Sequence, residues 1–370
     1  MASSEAGTRE EDDAALRGFT AEVFGSLRRA EQRRWAQAHL RALARTPGRK
    51  TPLRLVRTLN LPPSAAKGLH QFVNASPWDW RPVRPRLTGL VTAHGRPYAW
   101  TVADLVVPKT GAHTVGVRVR TDPDDGRTGR TGRTVNAQRA LGLFLAAPGA
   151  AFAVDWHLVL DGPWAADRTL RARARVPLTE LPRPAGLHIL DLATGAPART
   201  GPAGLPWVLD LSRYAEAGAI LAALARLDRA VVAEVPPDLE LRHTRPRTGT
   251  GTAGALLDPL LLRRPYPAVH VHQGPVRLPG SAPERAYRLL GCAPPGGDGP
   301  ARHWLTDVAA AGVEQVLALV RARLRTAEAL AVLRARYGLA DFAGRSFPGW
   351  HHHMTLLSAA YAYPRLSIHE

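Results

Sequence analysis

The chain has 370 residues, 45% of them hydrophobic, and a formal net charge of +18. That length supports a sizeable core, in two units or in one large domain with appendages. No apolar run nears the roughly 20 residues a membrane span needs, and the lone Cys292 rules out an internal disulfide framework and suits a reducing cytoplasm. The charge favours a polyanionic partner. Yet of the 49 basic residues just Lys50, Lys67 and Lys109 are lysines, and Ala, Gly and Pro are abundant, a bias that raises the arginine count without any ligand.

Taken in chain order, Met1–Asp13 is small and acidic with no apolar core, which predicts a disordered lead-in over residues 1–14 and no signal peptide. Ala14–Arg45 has helical spacing through Leu16, Phe19, Val23, Leu27, Leu40 and Leu43, and Thr51–Ala75 adds one or two short helices. Together these make an N-terminal helical domain over residues 15–86. Its basic stripe, Arg28, Arg29, Arg33, Arg34, Arg41, Arg45, Arg49 and Lys50, reads either as a solvated face or as a surface for phosphate contact. From Gly89 the composition turns to Val and Thr, predicting strands at Leu90–Ala93, Tyr98–Val107 and His113–Val119. Arg127, Arg130 and Arg133 punctuate a loop without apolar residues, which reads either as a solvated hairpin or as a second place for phosphate contact; Lys109 is a further candidate for such contact.

Further strands are expected at Ala140–Ala147 and Ala153–Leu160. Pro206–Leu211, Ala215–Leu227 and Ala230–Val235 then follow as a β-α-β unit. Pro and Gly dominate Pro236–Gly299, predicting an insertion with scattered strands at Ala268–His272 and Tyr287–Cys292. A long helix over Ala309–Tyr337 ends at Gly338, a last helix covers Trp350–Ala362, and residues 365–370 form a tail. His351, His352 and His353 are consecutive on that last helix, about 100° apart, so they cannot all chelate one ion. No Walker-type loop, dinucleotide fingerprint, paired-cysteine zinc motif or nucleophile elbow is present.

Several segments carry a resemblance. Gly68-Leu-His-Gln-Phe-Val-Asn-Ala-Ser-Pro-Trp-Asp79, Val102-Ala-Asp-Leu-Val-Val-Pro-Lys-Thr-Gly111, Val154-Asp-Trp-His-Leu-Val-Leu-Asp-Gly-Pro-Trp164 and Trp207-Val-Leu-Asp-Leu-Ser-Arg-Tyr214 are followed by Phe342-Ala-Gly-Arg-Ser-Phe-Pro-Gly-Trp-His-His-His353. This set resembles the DDE transposases of the insertion-sequence 701 type. The resemblance implies an α/β (α+β) protein with an RNase H-like mixed-sheet core over residues 87–364, interrupted by a β-containing insertion at about 236–300. It also implies three acids holding two divalent metals for cutting and joining DNA. Such metals take oxygen ligands, and the two ions must sit about 3.5–4 Å apart.

The motifs depart from the family at those acids. Ungapped registers place Ala103, Leu211 and Ala327 where the three carboxylates belong, with Asp104, Asp210 and Glu328 one residue away. Neighbours on a strand face opposite sides of a sheet, so Asp104 and Asp210 are expected to point away from the metal side. Glu328 is turned about 100° from position 327.

Three readings follow. The first is a domesticated, transposase-like protein that binds double-stranded DNA without cleaving it and takes no cofactor. In the second, the former metal cleft is reused for a small molecule or for metal-free catalysis through His113, His157, Tyr214 or Glu328. The third is an active transposase that binds Mg²⁺ through Asp104, Asp210 and Glu328. All three are consistent with a cytoplasmic protein without membrane contact.

Overall fold

The computed structural model describes residues 2–111, 113–121, 134–243, 250–261, 269–271, 275–280, 285–292, 301–308 and 312–366. Five helices open it: α1 (Ala2–Val23), α2 (Ala30–Arg45), α3 (Pro52–Thr58), α4 (Ala65–Asn74) and α5 (Val83–Gly95). On α2 the buried residues Ala36, His39, Leu40 and Leu43 recur at three- and four-residue steps, forming one apolar stripe. Two expectations are corrected here. Helix α1 starts at Ala2, inside the segment read as a disordered lead-in. Leu90–Ala93 is helical, because Leu87, Leu90 and Val91 continue the buried face of α5 across residue 86.

The core sheet follows as β1 (Ala99–Pro108), β2 (Arg118–Thr121), β3 (Thr134–Ala147) and β4 (Ala150–Leu158). The strand expected from His113 thus begins at Arg118. Short helices α6 (Pro163–Ala166), α7 (Arg168–Arg173), α8 (His188–Thr194) and α9 (Ala196–Thr200) precede β5 (Trp207–Asp210), α10 (Ala217–Arg226) and β6 (Val231–Val235), the expected β-α-β unit. The segment after β6 carries β7 (Glu240–His243), β8 (Thr250–Thr252), α11 (Ala253–Leu261), β9 (Val269–Val271), β10 (Val276–Arg277) and β11 (Arg288–Cys292). After it come β12 (Arg302–Thr306), α12 (Val313–Val320), α13 (Ala322–Val332) and α14 (Phe347–Leu366). Five π-helical residues, Leu333–Tyr337, prolong α13 up to Gly338, whose φ of 79° is the left-handed terminus expected there.

Strands β1, β3 and β4 form an antiparallel meander; β5 and β6 join β1 in parallel, giving the spatial order β4-β3-β1-β5-β6. Numbered in order of appearance, those five strands run 3-2-1-4-5, the arrangement of an RNase H-like sheet. The insertion and β12 lengthen its far side with antiparallel β12, β11 and β9, while β10, β7 and β8 make a separate small sheet.

Helix α14 is buried on every side, between the N-terminal helices and β4. Its three histidines therefore diverge as their spacing demands. Nδ1 of His351 lies 2.9 Å from Arg84, the ring nitrogens of His352 meet the carbonyls of Val73 and Trp78 at 2.8 Å each, and Nε2 of His353 donates to the Gly338 carbonyl at 3.1 Å. They tie the helical domain and the end of α13 to one central rod. Among the described residues no helix is long and apolar enough to cross a membrane.

Candidate active-site cleft

Strands β1 and β5 pair through Trp100↔Trp207 and Thr101↔Val208, and β5 ends at Asp210. Beyond Thr101, β1 has an open edge on that side. The chain leaves β1 toward β3 and leaves β5 toward β6, so the two parallel strands part company at their carboxyl ends. Such divergence is where open α/β sheets leave a crevice. Here it is a cleft of about 580 Å³ whose lining includes residues of β1, β5, α8 and α13.

Side-chain direction follows from the register. Thr101 Oγ1 meets Thr326 Oγ1 at 2.6 Å, so the odd-numbered residues of β1 face α13. Carrying the register of β1 and β5 forward places Ala103 level with Asp210, and Asp210 also turns to α13, where it bonds to Arg323. Ala327 lies one turn along from Arg323 on the same helical face and lines the cleft. Leu211 is fully buried outside the cleft. The expectation that Asp210 faces away is therefore corrected: Asp210, not Leu211, shares a face with Ala103 and Ala327. The motif spacing ran one residue ahead of the strand.

Both carboxylate oxygens of Asp210 are engaged, although its side chain is 39% exposed. Its Oδ1 accepts from the Ser212 amide at 3.1 Å and the Ser212 hydroxyl at 2.6 Å, fixing the turn after β5. Arg323 donates to Oδ2 with one arm and to Glu234 with the other. Glu234, on β6, is the cross-strand partner of Asp210 and is 8% exposed. The Arg323 guanidinium also lies over the Trp304 ring, 5.4 Å from its centroid. Neither Arg323 nor Glu234 stood out in the motif comparison. The position of Arg323, four residues before Ala327, was a signal that could have found it.

Asp104 lies on the other face of β1, as expected. It accepts from Arg139 at 2.5 Å and from the Tyr214 hydroxyl at 2.6 Å. The hydrogen bond to Asp104 raises Arg139 above its ordinary value, and burial beside the Asp104 charge raises the Tyr214 phenol. Both stay protonated. The shifted acids thus do not converge: Asp104 and Asp210 sit on opposite faces, and Glu328 is exposed, 3.1 Å from Arg325. Among the repurposed-cleft candidates Tyr214 alone lines the cleft. His113 is exposed elsewhere, and His157 belongs to a second cavity.

The cleft is cationic. Arg120 lines it but is committed to Asp161 by bonds of 2.8 and 2.6 Å. Arg213 also lines it and is exposed. With Arg139 and Arg323 that makes four arginines against Asp104 and Asp210.

The predicted basic stripe divides. Arg28, Arg29, Arg34, Arg45 and Arg49 are exposed, whereas Arg33 donates to the Leu27 carbonyl at 2.5 Å and Arg41 pairs with Asp13 at 2.6 Å. Two lysines are corrected from surface to interior roles. Lys50 is buried, its ammonium donating to the Thr46 carbonyl and its amide to Asp341 at 2.7 Å. Lys109 donates to the carbonyls of Ala340 and Phe342 at 2.7 and 2.8 Å, and burial pulls its pKa down to about 8. Both lysines staple the chain after α13. Arg127, Arg130 and Arg133 lie outside the described residues.

Residues 22–274 match the family model described as DDE superfamily endonuclease. The span contains both cleft strands and stops short of α13. A comparison with curated proteins finds no match.

Proposed function

The chain belongs to the DDE superfamily endonuclease family, and from that premise we propose that it is a transposase-like protein that binds double-stranded DNA without cutting it. Within the family we place it with the insertion-sequence 701 type, on the motif Gly344–His353 beyond the matched span. The observation that carries the reading is Arg323. Two-metal cleavage needs carboxylates free to take hard cations close together. On the α13 face of the cleft the family positions offer Ala103, Asp210 and Ala327, and Arg323 already occupies Asp210 together with Glu234. A guanidinium neutralises those acids where a divalent ion would have to sit, so the residues present do not fit the metal pair.

What such a scaffold retains is charge. The exposed arginines Arg28, Arg29, Arg34, Arg45 and Arg49, with Arg127, Arg130 and Arg133, supply phosphate contacts that carry no sequence information by themselves. Lys50 and Lys109 are omitted because their ammonium groups are engaged inside the fold. Equilibrium binding of a fluorescent duplex at several salt concentrations tests this reading. Dissociation constants tighter than about 10⁻⁴ M at physiological salt are expected, with a steep log–log salt slope that drops by about 1 for each arginine contact removed. Weaker binding than that, or a flat slope, overturns it.

A second reading draws on the cleft itself. Its volume of about 580 Å³ falls in the range of small-molecule sites. The excess of arginine there selects an anionic ligand, with Arg213 as the exposed donor.

A further inference from the structure

A second cluster of chemistry-bearing side chains lies at β4 and α8, around a cavity of about 210 Å³ that shares no lining residue with the cleft above. His157 is the next-to-last residue of β4, His188 opens α8, and Asp191 stands one turn further along the same helix. One ligand atom from each lies within 4.8 Å of the other two. His188 Nδ1 is 3.0 Å from Asp191 Oδ2, and the rings of His157 and His188 are 4.1 Å apart with their planes 28° from parallel. Glu180, on the loop between α7 and α8, brings a carboxylate oxygen to 3.8 Å from His157 Nε2.

We propose that His157, His188 and Asp191 form a binding site for a transition-metal ion of the Zn²⁺ class, with Glu180 as its fourth ligand. Two imidazoles and a carboxylate are the donor set of such ions; Mg²⁺ and Ca²⁺ take oxygen throughout. Metal–ligand bonds of about 2.0–2.2 Å at tetrahedral angles put neighbouring ligand atoms about 3.3–3.6 Å apart. The widest separation in the trio must therefore close by about an ångström, with the stacked rings tilting toward the ion.

An outer partner is already in place. Arg183 donates to Asp191 Oδ1 at 2.7 Å, which leaves Oδ2 as the single oxygen turned to the histidines. A carboxylate anchored on one oxygen so as to present the other is a usual second layer around a metal. The cavity, lined also by Glu180 and Asp191, gives an ion a way in. Because the ligands come from β4, the loop and α8, an ion there would clamp three separate segments.

The test uses the full-length protein, free of any affinity tag and stripped with a chelator. Titration with Zn²⁺ by calorimetry, and with Co²⁺ by visible absorption, should show one ion per chain at micromolar or tighter affinity. The Co²⁺ bands should have tetrahedral intensity, and the melting temperature should rise with metal. His157→Gln and Asp191→Asn should each weaken binding at least tenfold. His157 is the safer change, since its ion-pair partner Glu180 stands 3.8 Å off whereas Asp191 bonds to both Arg183 and His188; circular dichroism and the metal-free melting temperature verify the fold of both variants. His113→Gln, at an exposed position away from the cavity, should bind like the natural protein. No stoichiometric binding, or binding that both folded variants keep unchanged, overturns the proposal.

Discussion

Arg323 touches two carboxylates at once, so its removal separates structure from chemistry at the cleft. Arg323→Ala leaves Glu234, 8% exposed, without its close cation. Arg302 stands 3.9 Å away at an exposed position and is a weak substitute. The expected cost is about 1–3 kcal/mol in urea denaturation, the penalty of a buried polar group left unsatisfied. Glu234→Gln in the same protein should return part of it, because the neutral amide needs no counter-charge. Restoring acids tests the register. Ala103→Asp with Ala327→Glu and Arg323→Ala completes a carboxylate set around Asp210, and calorimetry should then detect Mn²⁺ binding. Leu211→Asp should cost several kcal/mol and bind no metal, since it buries a charge away from the cleft. That alanine stands at positions 103 and 327 is plain in the sequence, but not which neighbour faces the cleft at 210. Motif spacing counts residues along the chain, while the side chain's face is set by pairing with β1, which lies more than a hundred positions away.

Among the elements, those with a strong local pattern were the legible ones. β1, β3, the β5-α10-β6 unit and α14 all lie where Val-rich runs or helical spacing put them. Misreadings fell where local pattern is ambiguous: Leu90–Ala93 is a short apolar run that serves a helix face or a strand equally well. Helices α6 to α9 run from four to seven residues each, too short for periodicity to speak. β12 owes its existence to pairing with β6 and β11 more than to its own sequence Arg302–Thr306. One glycine records packing of a kind the sequence cannot display. Gly142, in the middle of β3, has room for no side chain, because an added Cβ would sit 2.6 Å from the Trp156 ring and 2.8 Å from Phe144. Gly142→Ala should therefore destabilise the protein by about 1–3 kcal/mol in denaturant titration despite the gain in strand propensity. A neutral or stabilising result would mean that the meander is looser than this packing implies.

For the whole molecule, the buried histidines dictate a pH response that the +18 charge alone does not. Burial holds His39 at about 3, His353 at about 4, with the Lys109 charge adding to the effect, and His351 well below its ordinary 6.5. A histidine depressed in the fold is protonated first in the unfolded chain. Its contribution is complete above pH about 6.5 and is lost progressively as the pH falls toward the folded values. Thermal melts should thus show a lower melting temperature at pH 5.0 than at pH 7.5; an unchanged or higher value at pH 5.0 contradicts the burial.

That same rod of histidines joins the arginine-bearing helices to the sheet that carries the cleft, and on the proposed reading it would bring DNA held by one to the other. Whether it is cut there is decided by incubating supercoiled plasmid with the natural protein in Mg²⁺ or Mn²⁺ and resolving the products on a gel. The account predicts plasmid that is bound and retarded but neither nicked nor linearised. Metal-dependent nicking that disappears in Asp210→Asn would contradict it, and would make Asp210 a working metal ligand in spite of Arg323.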